Sequence, residues 1–210
     1  MEGLDGVGKS ACMAYLSMRL NESGVDYTIV APTKAVNPGS FTERLFKRFP
    51  ILDRLRFFRQ IKFAARSNAA AKAADWRKGL ILGDRSIITS YIAHYGGNRI
   101  INALKTLVIN TMERRIYAPD YVLYLYVDNA DIIRSRLEAR NQARDIDENE
   151  TRRKQMGEHY RRIKDKGPAR VSKAEWIPIL AEGSREEVGE AVLKQVLRLY
   201  HKHRSDKNVG

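Results

Sequence analysis

A glycine-rich segment at the start of the chain constrains its fold more than any other feature. Residues 3–10 read Gly-Leu-Asp-Gly-Val-Gly-Lys-Ser, which fits the G-x-x-x-x-G-K-[ST] pattern of a phosphate-binding loop. The glycines let the backbone turn so that its N–H groups face phosphate oxygens, and a helix that starts there adds a favourable dipole. Lys9 is expected to neutralise the β- and γ-phosphates, and the Ser10 hydroxyl to ligate Mg²⁺. The residues expected to bind the nucleotide are Gly3, Asp5, Gly6, Val7, Gly8, Lys9 and Ser10.

Strand and helix signals alternate along the rest of the chain. Short β-branched or apolar runs predict strands at 26–31, 80–83, 121–128 and 176–181. The last of these is expected at a sheet edge, because Pro178 lacks a backbone donor. Helices are predicted at 9–23, 40–49, 51–78, 87–95, 99–116, 130–140, 150–166 and from 184 to about 205. We therefore expect an α/β fold of the P-loop NTPase type, a three-layer sandwich whose parallel sheet is flanked by helices.

The charge of the chain predicts an anionic partner. The 210 residues include 38 Lys and Arg against 25 Asp and Glu, a formal net charge of +13. Residues 44–78 contain 11 Lys or Arg and two Asp, and residues 152–173 contain nine Lys or Arg and two acidic residues. Such basic blocks fit the phosphates of small molecules or nucleic acid. Basic and aromatic residues interleave over Arg54–Arg59, but we interpret Phe57 and Phe58 as core or acceptor-pocket residues. The first block is therefore expected to serve mainly an anionic substrate, with weak nucleic-acid binding through the same charges.

Composition also limits where the protein works. The single cysteine, Cys12, excludes a disulfide framework and a thiolate-rich zinc site, and it fits a reducing compartment. No stretch reaches the roughly 18 consecutive apolar residues of a membrane span, and residues 1–5 lack the features of a signal peptide. We therefore expect a soluble cytoplasmic protein that does not enter a membrane.

Four charged residues lie where a phosphotransferase needs them. Asp84 ends a short apolar strand, the position for a carboxylate that helps to hold Mg²⁺, and Arg85 beside it suits the acceptor phosphate. Arg140 and Arg144 bracket a polar segment between two predicted helices. Such a segment suits a lid that closes over the transferred phosphoryl group, excludes water and adds positive charge.

These motifs together resemble the thymidylate kinase family. The phosphate loop of that family reads E-G-x-D-G-x-G-K-S/T, which is matched by residues 2–10. Residues 83–96 resemble its D-R-Y…S-S-x-A-Y-Q-G segment, and residues 119–128 resemble its P-D-x-x-x-x-L-D-V strand. Residues 140–160 are similar to its R…D-R-x-E lid and the tyrosine that follows. The resemblance covers nearly the whole chain, in the same order.

The resemblance implies an activity and a set of site residues. It implies transfer of the γ-phosphoryl group of ATP to a deoxynucleoside monophosphate, most directly dTMP to dTDP, with Mg²⁺ and in a homodimer. It also implies one kinase domain over residues 1–205, with a lid at about 140–149 and a polar tail at 206–210. The catalytic residues that it implies are Lys9, Asp84, Arg85, Arg140 and Arg144, with Ser10 and Asp84 at the metal. The residues that it suggests for the acceptor are Asp5, Lys34, Arg66, Arg85, Ser90 (near the base) and Tyr95.

The chain departs from the family pattern where the acceptor is recognised. The family triplet R-E-P is Pro32-Thr33-Lys34 here, and Lys34 neutralises a phosphate without a bidentate grip. Phe63-Ala-Ala-Arg66 is one residue shorter than the family F-x-A-D-R, and Tyr95 replaces the Gln that helps to read the base. The lid motif D-R-x-E is Asp145–Glu148, without its arginine. We therefore expect broadened acceptance of dTMP, dUMP and another pyrimidine monophosphate.

Two other functions stay open at this point. One is a P-loop kinase that acts on another nucleotide or on a polynucleotide end. The other is a non-catalytic relative that binds nucleic acid, which basic residues with interleaved aromatic side chains on one exposed face would favour.

The first strand is expected to be truncated. A phosphate loop is entered from a buried strand, and only Met1 and Glu2 precede Gly3, fewer than the ~5 residues of an average strand. The family resemblance places this strand in the middle of a five-stranded sheet, between the strands at 80–83 and 121–128. We therefore expect further apolar residues upstream of this start.

Overall fold

A parallel sheet with helices on both faces forms the frame of the chain. The computed structural model describes residues 1–94, 99–116, 118–139 and 146–208. The strands in these ranges are β1 Glu2–Gly3, β2 Tyr27–Val30, β3 Leu80–Gly83, β4 Tyr121–Tyr126 and β5 Glu175–Leu180. The helices are α1 Lys9–Glu22, α2 Phe41–Arg48, α3 Arg56–Ala73, α4 Ile87–His94, α5 Arg99–Met112, α6 Ala130–Glu138, α7 Ile146–Lys166, α8 Ala169–Ser172 and α9 Arg185–Asn208, with a 3₁₀ turn at Pro50–Asp53. The predicted α/β fold is confirmed.

Strand β1 lies between β3 and β4, as predicted. It pairs in parallel with β4, which pairs in parallel with β5 on its other side, while β2 and β3 form a second parallel pair. The amino group of Met1 donates to the carbonyl of Gly83 over 2.7 Å, and the N–H of Arg85 donates to the carbonyl of Met1 over 3.1 Å. These two hydrogen bonds connect the three strands β1, β4 and β5 to the parallel pair of β2 and β3. Strand β5 has only β4 as a neighbour among the described strands, which confirms the edge position predicted from Pro178.

Two apolar clusters lie on opposite faces of the sheet. Side chains alternate along β4, so Leu123 and Leu125 belong to one cluster and Val122 to the other. The first cluster is completed by α1 and α9, with Leu16 fully buried between them. The second is completed by α3, α4 and α7, where Ile163 is inaccessible to solvent. This layering places the carboxyl ends of the strands, and thus the phosphate loop, at one edge of the sheet.

The second predicted helix after β2 is shorter than expected. The sequence pattern predicts one helix over 51–78, whereas the chain forms the 3₁₀ turn at Pro50–Asp53 and then α3. Pro50 begins the 3₁₀ turn, and the extended backbone of Ala74, with ψ of 140°, ends α3. The Asp75 carboxylate then accepts a backbone N–H two residues on, which forms a local turn.

Phe57 and Phe58 are not core residues, so of the two alternatives in the sequence interpretation only a place in the acceptor pocket stays a prediction. Their exposed fractions are 65% and 37%, and the two rings contact one another edge to face at 5.7 Å. Helix α3 instead buries Gln60, Ala64 and Ser67, which recur at helical spacing. The first turn of the helix carries both phenyl rings outside this buried stripe.

Several other element ends also differ from the prediction. Helix α5 ends at Met112, four residues earlier than predicted. The guanidinium of Arg170 donates hydrogen bonds to the carbonyl oxygens of Glu113 and Ile116. Helix α7 begins at Ile146, inside the predicted lid, and α9 continues to Asn208 in the predicted tail. The short helix α8 was not predicted. No helix of the described part of the chain has the length and hydropathy that a membrane span requires.

Candidate functional site

The phosphate loop joins β1 to α1 and is held by close backbone contact. A Cβ atom at Gly3 would lie 2.4 Å from the carbonyl oxygen of Leu125, so only glycine fits beside β4. Gly8 has a φ of 100° and precedes α1 without a capping side chain. The first N–H groups of α1 therefore have no side-chain cap, which is the arrangement that binds anions. The side chain of Val7 is buried in the core and anchors the loop, and Gly6 has a φ of 89°.

Lys9 is folded back onto the loop that it follows. Its ammonium donates to the carbonyls of Gly3 and Leu4 over 2.8 and 2.5 Å, and lies 3.7 Å from a carboxylate oxygen of Asp5. Only 7% of the residue is exposed. Burial, together with the charge of Arg85, lowers the pKa of Lys9 to about 8. A phosphate at the loop would replace the carbonyl oxygens with charged acceptors and would raise this pKa.

Arg85 joins the phosphate loop to the end of β3. Its Nη2 donates to Oδ1 of Asp5 over 2.6 Å. Arg85 has a φ of 73°, a left-handed conformation that costs a non-glycine residue free energy and is concentrated at functional sites. The structure thus brings together Asp5, Lys9 and Arg85, which the sequence analysis had placed at the acceptor and the transferred phosphate.

Lys34 and Asp84 form an ion pair at the same edge of the sheet. Nζ of Lys34 lies 2.5 Å from Oδ2 of Asp84, whose side chain is 8% exposed. The backbone N–H of Asp84 donates to the carbonyl of Val30, which ties the residue to β2. Lys34 is 66% exposed, so its ammonium remains accessible to solvent while it pairs with the buried carboxylate. The departure from R-E-P therefore still leaves a cation beside the carboxylate.

The residues at this edge fit a magnesium ion that is held mainly by phosphates. Ser10 is exposed in the first turn of α1, and Asp84 follows β3, so a hydroxyl and a carboxylate come from neighbouring strand ends. Within the described ranges no group of three or more His, Cys, Asp or Glu side chains forms a metal cage. Mg²⁺ in kinases uses one or two protein ligands, substrate phosphates and water, so this donor set suits it.

The buried carboxylate of Glu2 links the phosphate loop to α4 and α7 by hydrogen bonds. It is 1% exposed and accepts hydrogen bonds from the N–H and the hydroxyl of Ser86 over 2.7 and 2.8 Å, and from the hydroxyls of Thr89 and Tyr160 over 3.0 Å each. The Tyr160 oxygen also accepts the N–H of Gly3 over 3.3 Å, and burial raises the pKa of this phenol well above its usual value. In the sequence, Glu2 stands out only as the first residue of the phosphate-loop motif. The contact with Tyr160 spans 158 residues, so no local pattern could show it.

Arg66 braces the loop that carries Lys34. Its Nε and Nη2 bind the carboxylate of Glu43 over 2.6 and 2.7 Å, and its Nη1 donates to the carbonyl of Thr33 over 2.9 Å. The guanidinium lowers the pKa of Glu43 by hydrogen bonding. The hydroxyl of Ser40 caps α2 by accepting the N–H of Glu43. A role for Arg66 in binding the acceptor stays a prediction.

The other predicted site residues are placed as follows. Ser90 is 6% exposed near the start of α4, five residues after Arg85. Tyr95, Arg140 and Arg144 lie outside the described residues, so their roles stay predictions. Glu113, a buried carboxyl group whose Oε1 accepts a hydrogen bond from Gln60, was not predicted, because nothing in the local pattern distinguishes it from the other charges at the end of α5.

Comparison with known proteins gives one family. The family model described as thymidylate kinase matches residues 1–192 of the 210. The match therefore includes the phosphate loop, every strand and the whole of the site described above. A search of curated proteins finds no match.

Proposed function

The chain belongs to the thymidylate kinase family, and from that premise we propose that it transfers the γ-phosphoryl group of ATP to dTMP, giving dTDP and ADP. The family makes the protein a nucleotide-binding phosphotransferase. The observation that carries the proposal is the meeting of Lys9, Asp5 and Arg85 beside the uncapped start of α1. A cation, a carboxylate and free backbone donors at one point suit two phosphorylated ligands and a sugar hydroxyl.

Each side chain has a role in this reaction. Lys9 leaves the loop carbonyls and binds the β- and γ-phosphates, while Arg85 holds the acceptor phosphate in line with the γ-phosphorus. Asp5 accepts a hydrogen bond from the acceptor sugar. An oxygen of the acceptor phosphate forms the new bond to the γ-phosphorus as the bond to the β-phosphate oxygen breaks, and ADP leaves. Mg²⁺, when bound to Ser10 and Asp84, neutralises charge on the phosphates.

Three further residues complete the proposal. Lys34 exchanges Asp84 for the acceptor phosphate when that ligand enters. Arg140 and Arg144 supply positive charge from the lid.

The single cysteine, Cys12, is buried and unpaired, which supports a reducing compartment, and we place the protein in the cytoplasm.

The acceptor preference is tested by ATP turnover with each deoxy- and ribonucleoside monophosphate in turn. We expect dTMP to give the highest kcat/KM, dUMP and one other pyrimidine monophosphate to lie within about tenfold of it, and purine monophosphates to lie at least about 100-fold lower. The breadth is expected because Tyr95 and Lys34 replace residues that read the acceptor in the family. A preference for dTMP above about 100-fold over every other pyrimidine contradicts the breadth, and turnover with none contradicts the kinase.

We also propose that the protein is a homodimer, on the strength of an exposed apolar stripe on α5. The stripe consists of Ile100, Ile101, Leu104, Leu107 and Val108, with exposed fractions of 71%, 43%, 60%, 63% and 44%. These residues recur at helical spacing on one face, and contiguous exposed apolar surface of this kind marks an interface. A second copy of the chain can cover this stripe, because a two-fold axis packs α5 of one subunit against α5 of the other, apolar face to apolar face.

Charging the α5 stripe is expected to give monomers. The double substitution Leu104→Glu and Leu107→Glu places like charges on both sides of the interface, and buried unpaired charge is strongly destabilising. Light scattering after gel filtration should give about twice 24.0 kDa for the natural chain and about 24.0 kDa for the variant. Lys202→Glu, on the exposed face of α9, is the control for added charge and should stay dimeric. A monomeric natural chain at tens of micromolar would refute the proposal.

Nucleic-acid binding through the basic blocks is a second candidate, favoured by one observation. Phe57 is 65% exposed in a segment where Arg54 is also exposed, and exposed aromatic rings beside cations are the feature that suits single strands. We expect weak, salt-dependent binding of a fluorescent single-stranded oligonucleotide, with a Kd of about 10⁻⁴–10⁻⁶ M at physiological salt. Tight and sequence-selective binding would instead favour the nucleic-acid-binding alternative.

A further inference from the structure

Arg85, the residue proposed to hold the acceptor phosphate, has a backbone conformation that depends on its neighbours. Its φ of 73° is the only positive φ among the non-glycine residues that the structure describes. Its carbonyl is folded back toward the end of β3, since a Cβ atom at Gly83 would lie 2.9 Å from that oxygen. A non-glycine residue keeps such a conformation only where the surrounding contacts determine it. Here those contacts come from Met1 and Glu2.

Met1 and Glu2 bind the peptide groups on either side of Arg85. The N–H of Arg85 donates to the carbonyl of Met1 over 3.1 Å. The N–H of the next residue, Ser86, donates to Oε1 of Glu2 over 2.7 Å. The angles φ and ψ of Arg85 are the only soft rotations between these two N–H groups. Holding both groups on successive residues therefore holds the backbone of Arg85, and the second of the two contacts is made by a side chain.

The hydroxyl of Ser86 strengthens the contact with Glu2. It donates to the same Oε1 over 2.8 Å and accepts the N–H of Ile88 over 3.2 Å. Because its proton is directed to the carboxylate, its oxygen can accept a backbone N–H in the first turn of α4. Glu2 thus fixes the junction between Arg85 and the helix that follows.

This junction directs the side chain of Arg85 to the phosphate loop. Nη2 of Arg85 lies 2.6 Å from Oδ1 of Asp5, and the same oxygen is 3.7 Å from the ammonium of Lys9. Rotation about the N–Cα bond moves Cβ relative to the preceding peptide group. A negative φ at residue 85 would therefore project the guanidinium in another direction from the same strand end.

We propose that Glu2 is a positioning residue for phosphoryl transfer, which it serves by holding Arg85 in the left-handed conformation that directs its guanidinium to the acceptor phosphate. The inference rests on the proposed function, since it assumes that Arg85 binds that phosphate. A carboxylate suits this task because its two oxygens accept hydrogen bonds and do not donate them. Glu2 is 1% exposed, so it acts through Arg85 and does not itself touch a substrate.

The first test is a double-mutant cycle of Glu2→Ala and Arg85→Ala, with each variant assayed where circular dichroism shows it to be folded. We expect Glu2→Ala to lower kcat/KM for dTMP about 100-fold at saturating ATP, the size of effect that a displacement of about 1 Å produces. In the Arg85→Ala background the same substitution should change kcat/KM less than about twofold, because the group that Glu2 positions is absent. A purely structural role would give the same loss in both backgrounds, and that result would overturn the inference.

Two variants that each lack one hydroxyl give a milder, matched comparison. Ser86→Ala and Thr89→Val each remove one hydrogen bond to the Glu2 carboxylate, but only Ser86 adjoins Arg85. We expect Ser86→Ala to lower kcat/KM for dTMP about fivefold and Thr89→Val to leave it within about twofold. Equal losses in the two variants would contradict the positioning role.

The backbone of residue 85 separates this inference from the proposed function. A crystal structure of Glu2→Ala should show φ of Arg85 outside the left-handed region, and a φ that stays near 73° overturns the inference at any level of activity. If the natural chain transfers no phosphoryl group, the kinase proposal fails and this angle still decides. If Glu2→Ala does not fold, Glu2→Met, of similar length and without a carboxylate, replaces it, and the comparison of Ser86→Ala with Thr89→Val decides if neither folds.

Discussion

Lys9→Ala is expected to reduce kcat for phosphoryl transfer by at least about 10³-fold, because the substitution removes the cation that clamps the transferred phosphate. The ammonium is held at the loop by two carbonyl oxygens, 2.8 and 2.5 Å away, so it is already in place when phosphate arrives. Turnover is measured with ATP and dTMP under saturating conditions. The exposed Lys72 of α3 supplies the control, and Lys72→Ala should keep the natural rate.

The fold should survive the loss of Lys9. Burial lowers the pKa of Lys9 to about 8 from 10.5, so the folded chain binds this proton less tightly than the unfolded chain does. This effect reduces the free energy of unfolding below pH 8, and the reduction disappears as the pH rises from about 8 to 10.5. At pH 7 the variant should therefore melt within a few degrees of the natural chain.

Proton uptake gives a second measurement for the same side chain. At pH 8.5 about three quarters of a group with a pKa of 8 is unprotonated, and bound phosphates raise that pKa. ATP binding should therefore take up a fraction of a proton at pH 8.5 in the natural chain and none through residue 9 in Lys9→Ala. Calorimetry in buffers of different ionisation enthalpy measures this number. Natural turnover in the variant, or equal proton uptake by both chains, would contradict the role assigned to Lys9.

The parts of the site that the sequence predicts are those with local signals. The phosphate loop is a contiguous pattern, and Asp84 and Arg85 follow a strand that its apolar run identifies. Parallel strands end at one edge of a sheet, so the meeting of Lys9, Asp5 and Arg85 follows from the order of elements. The position of β1 between β3 and β4, which the family resemblance implied, is also confirmed.

The parts that the sequence does not predict depend on distant contacts. Phe57 and Phe58 look like core residues by composition, but burial depends on which turn of α3 meets its neighbours. The ion pair of Lys34 with Asp84 joins a loop to a strand end 50 residues away. Glu113 is one charge among several after an apolar helix, and only the folded chain places it against Gln60 of α3.

Substitution of Glu2 is expected to lower the stability of the fold more than any other change considered. Glu2→Ala removes the acceptor of four hydrogen bonds, from the N–H and hydroxyl of Ser86 and the hydroxyls of Thr89 and Tyr160. These donors are then left unpaired below the phosphate loop, where water has little access. We expect the free energy of unfolding to fall by about 3–5 kcal/mol and the melting temperature by roughly 10 °C.

Graded substitutions distinguish this network from simple loss of volume. Glu2→Gln keeps the shape of the side chain but turns an amide N–H₂ toward groups that donate, so it should cost about 1–3 kcal/mol. Tyr160→Phe removes one donor and should cost about 1 kcal/mol, and much less when Glu2 is already alanine, because its partner is gone. Thermal and urea unfolding measure each step. If Glu2→Ala melts within 2 °C of the natural chain, or if the two substitutions add in full, the carboxylate does not bridge the loop to α7 as the structure indicates.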